Sequence, residues 1–100
     1  MRVMLRAHLD TQAANEGIKS GALMQSIAKM METLKPEATY FGPHEGVRSM
    51  WAVFDLQDSS QLPKITEELF MQFNAEVEVS PVMNGDDLKK GIAAMDSSPG

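Results

Sequence analysis

Residues 2 to 9, RVMLRAHL, set Val3, Leu5 and Ala7 on one face and Met4, Arg6 and His8 on the other, the period of a half-buried strand. After Asp10, Thr11 and Asn15, all able to cap a helix, the apolar spacing changes to three and four. Ile18, Leu23, Ile27, Met30 or Met31, and Leu34 predict one helix that Pro36 ends. Gly17 and Gly21 fall in its first half, where each costs helix stability but permits a close backbone approach. PEATYFG then reads as a short second strand, GPHEG as a turn and VRSMWAVFDL as a long third strand. That strand sets Val47, Ser49, Trp51, Val53 and Asp55 against Arg48, Met50, Ala52, Phe54 and Leu56. Both faces are largely apolar, which predicts a central strand covered on both sides.

QDSSQLP breaks the strand and opens a helix, with Asp58, Ser59 or Ser60 as cap, Pro63 in the first turn and Leu62, Ile65, Leu69 and Phe73 as the apolar stripe. AEVEVSPVM predicts a fourth strand, with Val77 and Val79 opposed to Glu76, Glu78 and Ser80, and Pro81 ending its ladder. Asn84 and Asp87 are spaced as a capping box for a short helix over DDLKKG, and AAMDSSPG reads as a frayed tail.

The element order is strand, helix, strand, strand, helix, strand, short helix. With right-handed crossovers it predicts an α+β, ferredoxin-like βαββαβ domain with a four-stranded antiparallel sheet in the order 4-1-3-2 and helices on one side. The expected domain is residues 1–92, and residues 93–100 the flexible C-terminal tail. The face away from the helices is expected to carry Met50, Ala52 and Phe54 beside Arg6, His8, Glu76 and Glu78. Apolar residues there need cover, and a second copy of the sheet would supply it, which predicts a sheet-to-sheet homodimer.

Composition narrows the partners. Lysine plus arginine number 9 against 14 acids, a net charge of -5, and no basic run breaks the acidic field, so nucleic acid and anionic membranes are not expected partners. With Cys 0 there is no disulfide framework, thiolate nucleophile or cysteine metal site. MRVMLRAHLD lacks the apolar core of a secretory signal, and no stretch nears the roughly 20 apolar residues of a membrane span. The expected location is cytoplasmic.

The stretch KPEATYFGPHEGVRSMWAVFDLQDSSQLPKITEELFMQFNAEVEVSPVMNGDDLKK, together with the element order, resembles the small dimeric α/β-barrel superfamily. Muconolactone isomerase, antibiotic biosynthesis monooxygenases and stress-responsive barrel proteins are members. More closely it is similar to a bacterial family of comparable length with the same helix-opening, Phe-Asn-Ala and Pro-Val-Met pattern. The resemblance spans residues 3 to 90. It implies two ferredoxin-like subunits joined sheet to sheet, with substrate often held between the sheet and the partner. It carries over no catalytic position, because the superfamily mixes chemistries.

Arg6 and His8 share a face of the first strand, and Glu76 and Glu78 a face of the fourth, its expected neighbour. The grouping would bind a small organic ligand, with His8 the candidate proton-transfer group and Arg6, His8, Trp51, Glu76 and Glu78 the candidate ligand-binding residues. A salt-bridged patch is the competing reading. Trp51 is expected to floor a pocket between sheet and helices, its ring nitrogen needing a partner if buried. His44 and Glu45, on a hairpin tip, are explained by solvation. Neither histidine has a metal-ligand partner at a diagnostic spacing, so no metal is expected, and no cofactor, because no phosphate loop or nucleophile elbow is present. The functional expectation is a protein that binds or converts a small organic molecule near the dimer interface; the alternative is a non-catalytic structural or interaction dimer.

Overall fold

The computed structural model describes residues 1–97. In chain order the elements are β1 (Arg2–His8), α1 (Thr11–Ser20), α2 (Ala22–Leu34), β2 (Ala38–His44), β3 (Val47–Asp55), α3 (Leu62–Phe73), β4 (Glu76–Pro81) and α4 (Gly85–Ser97). One turn of 3-10 helix, Ser59–Gln61, precedes α3. All neighbouring strands are antiparallel, in the order β2-β3-β1-β4, which read from the other edge is β4-β1-β3-β2.

The predicted long first helix is two helices. Gly21 takes φ 87, a left-handed conformation open to glycine at little cost, and its N–H closes α1 on the Ile18 carbonyl. Gly17 has a different purpose. A Cβ at Gly17 would lie 2.7 Å from Phe73 Cε1, so the missing side chain is what lets α1 settle on the α3 ring. The Asn84–Asp87 capping box forms, with Asp87 N–H donating to Asn84 Oδ1 at 2.8 Å and Asn84 N–H to Asp87 Oδ2 at 3.1 Å. That cap starts a longer helix than expected. Residues 93–97, read as flexible tail, are helical in α4, while 98–100 lie outside the described residues.

The core is one layer between sheet and helices. Val3, Leu5 and Ala7 of β1 meet Ile65, Leu69 and Phe73 of α3 and Leu23 and Met30 of α2 in one buried cluster. The register also overturns the reading of β3. Ala7 pairs with Met50, Leu5 with Ala52 and Val3 with Phe54, so these three β3 residues face the helices and are 3%, 0% and 2% exposed. Cross-strand partners share a face, and β3, apolar on both faces, could not reveal from its own pattern which one was the core.

That correction removes the reason for a barrel. The outer face carries Met4, Arg6, His8, Tyr40, His44, Trp51, Glu76 and Glu78, a mixed surface rather than the apolar one that called for a second sheet. The sheet is open, with β2 and β4 as its two edges. The expected dimeric α/β barrel is therefore corrected to a two-layer α+β domain with an open four-stranded sheet, and the sheet-to-sheet homodimer loses the observation that motivated it. Among the described residues no helix is long and apolar enough to cross a membrane.

Candidate functional site

The open face gathers the sequence-predicted residues. Arg6 lies between Trp51 on β3 and Glu78 on β4, and His8 between Ser49 and Glu76. Arg6 Nη1 is 3.8 Å from Glu78 Oε2, and His8 Nδ1 is 3.8 Å from Glu76 Oε2. Both carboxylates are largely exposed, at 76% and 88%, so water screens these pairs and each adds little stability. Together with Glu45 they line a pocket of about 140 Å³. Arg6 Nε is buried there with no hydrogen-bond partner among the described residues, a donor that a ligand oxygen would satisfy. Trp51 does not floor a pocket under the helices. It lies on this outer face, with its ring edge-on to His44 at a centroid distance of 5.6 Å and 83° between planes.

The sequence reading did not connect His44 and Glu45 to this face. His44 ends β2 and Val47 begins β3, so the hairpin loop is Glu45-Gly46. Both loop residues have positive φ, 54 and 83, as the tightest primed hairpin turn requires. Glycine accepts this freely; Glu45 does so against the steric preference of an L side chain. The turn holds His44 in register two residues beyond Gly42, which faces Ser49, itself the partner of His8. Glycine and serine leave the row between the histidines low. The rings lean together over it, with His44 Nδ1 3.3 Å from His8 Nε2 and centroids 5.3 Å apart. His8, His44 and Glu45 each offer a ligand atom within 4.8 Å of the others.

A second feature lies on the helix side. Leu23, Ile27 and Met30 of α2 face Phe41 and Met50 of the hairpin across a cavity of about 230 Å³. Leu69 and Phe73 close its inner wall, and Arg48 reaches its rim. Arg48 Nη1 donates to the Thr11 carbonyl at 3.4 Å, a long bond that leaves other guanidinium donors free to turn toward a guest. The polar side chain buried at this wall is already engaged: Ser26 donates to Glu68 Oε1 at 3.2 Å. His8 and this cavity lie on opposite faces of the sheet.

At the other end of the sheet Arg2 holds three segments together. Its Nε donates to Glu37 Oε1 at 2.5 Å, and its Nη1 contacts Asp87 at the start of α4. The Glu37 bond, ahead of the attraction of Asp87, holds the Arg2 guanidinium above its already high value. The Asn84 backbone N–H, helped by Arg2, holds the Asp87 carboxyl below the ordinary carboxylate range. This is a structural clamp away from both pockets.

No protein-family model matches the chain, and no curated protein does. Among solved structures it is similar to one described as "De novo designed protein Ferredog-Diesel", with a TM-score of 0.50 and 9% identity over 81% of this chain and 85% of that one. At that identity the likeness concerns the path of the backbone alone. The kinship with dimeric α/β barrels, expected from the sequence, is corrected accordingly: what the comparison and the open sheet support is a ferredoxin-like arrangement.

Proposed function

We propose that the chain binds a small, largely apolar organic acid in the cavity between α2 and the β2–β3 hairpin. The observation that carries this reading is the cavity itself, about 230 Å³ of space walled by side chains such as Leu23, Ile27, Met30 and Met50. A concave space of this size whose lining is almost wholly apolar is the kind of site that small organic ligands occupy. Its dimensions suit a single ring or a short branched chain. Removing about 150 Å² of apolar ligand surface from water would contribute roughly 4 kcal/mol, enough for weak to moderate affinity once Arg48 adds a charge-assisted bond to a carboxylate. Conversion of the guest is not part of the proposal, because His8 lies across the sheet from this cavity.

The test is calorimetry and thermal shift with aromatic and branched monocarboxylates, beside their neutral amides. Acids should bind and raise the melting temperature. Arg48→Met should abolish the preference for acid over amide, and Ile27→Trp, which fills the space, should abolish binding of both. Equal binding to wild type and Ile27→Trp, or none to wild type, would end this reading. A second reading, as an interaction module, is supported by α4: Leu88, Ile92 and Met95 recur at helical spacing and are all exposed.

A further inference from the structure

We propose that His8, His44 and Glu45 form a three-ligand site for a divalent transition-metal ion of the zinc and nickel class. The site lies on the open face and is independent of the cavity under the helices. Three features point to it. The first is spacing. A tetrahedral ion bound at 2.0–2.1 Å holds its ligand atoms about 3.3–3.4 Å apart. His44 Nδ1 and His8 Nε2 stand 3.3 Å apart, longer than a good imidazole hydrogen bond and close to that tetrahedral edge. The third atom lies within 4.8 Å, on an exposed glutamate that closes the remaining gap by side-chain rotation.

The second is what stands behind the ligands. His8 presents its other nitrogen, Nδ1, toward Glu76 Oε2 at 3.8 Å, beyond hydrogen-bond reach but near enough for a side-chain rotation to bring the carboxylate behind a ligating imidazole, where it would orient the ring. His44 is braced by the Trp51 ring edge-on at 5.6 Å. The third is the turn. A glutamate at φ 54 occupies a position that asparagine, aspartate or glycine fills at lower cost, and local strain of this kind gathers where a side chain is held for function. Two imidazoles select zinc, nickel, cobalt or copper over magnesium or calcium. With three protein ligands a fourth position stays open toward the pocket of Arg6, Glu76 and Glu78.

The chain has Trp 1, and its Trp51 ring sits against His44, so its fluorescence reports the site directly. Nickel or cobalt titrated into the intact protein should quench Trp51 with saturation at one ion per chain. Zinc should reverse the quenching by competition, and calorimetry with zinc chloride should return the same stoichiometry. His44→Ala and Glu45→Gln alter an exposed hairpin tip and should retain the fold by circular dichroism while each weakens zinc binding more than about tenfold. Glu76→Gln, a positioning change, should weaken it less than His44→Ala does. No saturable binding up to millimolar zinc or nickel would overturn the site, leaving the two imidazoles as a direct hydrogen-bonded pair. Wild-type affinity in His44→Ala would overturn it equally.

Discussion

Replacing the helical Gly17 with alanine should destabilise this protein. Helix propensity alone argues the opposite, because alanine in place of an interior glycine stabilises a helix by about 1 kcal/mol. The new Cβ, however, would sit 2.7 Å from Phe73 Cε1, 3.4 Å from Phe73 Cδ1 and 3.2 Å from Leu23 Cβ. Phe73 is 1% exposed and packed among the core residues of the sheet, so its ring can yield only toward the cavity it lines and only by giving up core contacts. Overpacking of this kind costs about 1–3 kcal/mol. The balance is a net loss of up to about 2 kcal/mol, and each 1 kcal/mol lowers the melting temperature of a domain this size by roughly 4–8 °C. Gly91 is the matched control: it lies within α4, and a Cβ there meets nothing within 4 Å among the described residues. Gly91→Ala should therefore increase helicity and slow amide exchange in α4 without penalty. The assay is thermal unfolding followed by circular dichroism, with the double variant Gly17→Ala/Phe73→Leu completing a cycle. The smaller residue should recover part of the Gly17→Ala loss through a coupling of about 1 kcal/mol. A higher melting temperature for Gly17→Ala, or no coupling to Phe73, would refute the account of why α1 carries a glycine there.

Four other outcomes follow from the same geometry. Phe73→Ala should cost about 3–5 kcal/mol in denaturant unfolding, as expected for an aromatic at the centre of the core. Glu45→Asn should raise the melting temperature of the metal-free protein by relieving up to about 1 kcal/mol of strain at φ 54, and should weaken zinc binding in calorimetry at the same time. The Asp87 carboxyl, held below 3.8 by the Asn84 N–H and Arg2, contributes stability that is present above 3.8 and lost as pH falls through its lower folded value; Asp87→Asn should flatten that acid limb in melting curves recorded against pH. Leu88→Ser with Ile92→Ser should leave the melting temperature unchanged, because both side chains are exposed on α4.

β1, β4 and α3 were legible because each carries a single unambiguous period: Ile65, Leu69 and Phe73 are spaced for a helix and are buried as a helix face. The break in the first helix was not. Gly21 falls where the apolar spacing continues into Leu23 and Ile27, and a glycine's left-handed φ leaves no trace in the hydrophobic pattern. The orientation of β3 failed for a related reason. Val47, Trp51 and Val53 form as credible an apolar face as Met50, Ala52 and Phe54, and only pairing with β1 distinguishes them. With β3 turned over, Trp51 would lie under the helices and Met50, Ala52 and Phe54 on the open face, where a partner sheet would be needed to cover them.

The meeting of His8 and His44 was closer to legibility than their separation in sequence suggests. β1 and β2 each run antiparallel to β3, so they are parallel to one another, and their last residues fall at the same end of the sheet. His8 is the last residue of β1 and His44 the last of β2. The face follows by counting: His8 is level with Ser49, Ser49 with Gly42, and two residues further along β2 returns to the same side at His44. What the count does not supply is the distance, because two strand spacings of roughly 9–10 Å and a two-residue offset of roughly 7 Å combine to a backbone separation of about 12 Å. The residue types close that gap. A bulky β-branched side chain at position 49 or 42 would stand between the rings, whereas Ser49 turns its hydroxyl back to the Val47 carbonyl and Gly42 has none. Convergence of the histidines thus depends on what the central row lacks. Ser49→Val should therefore separate them and weaken zinc binding, while leaving Trp51 and the hairpin register in place.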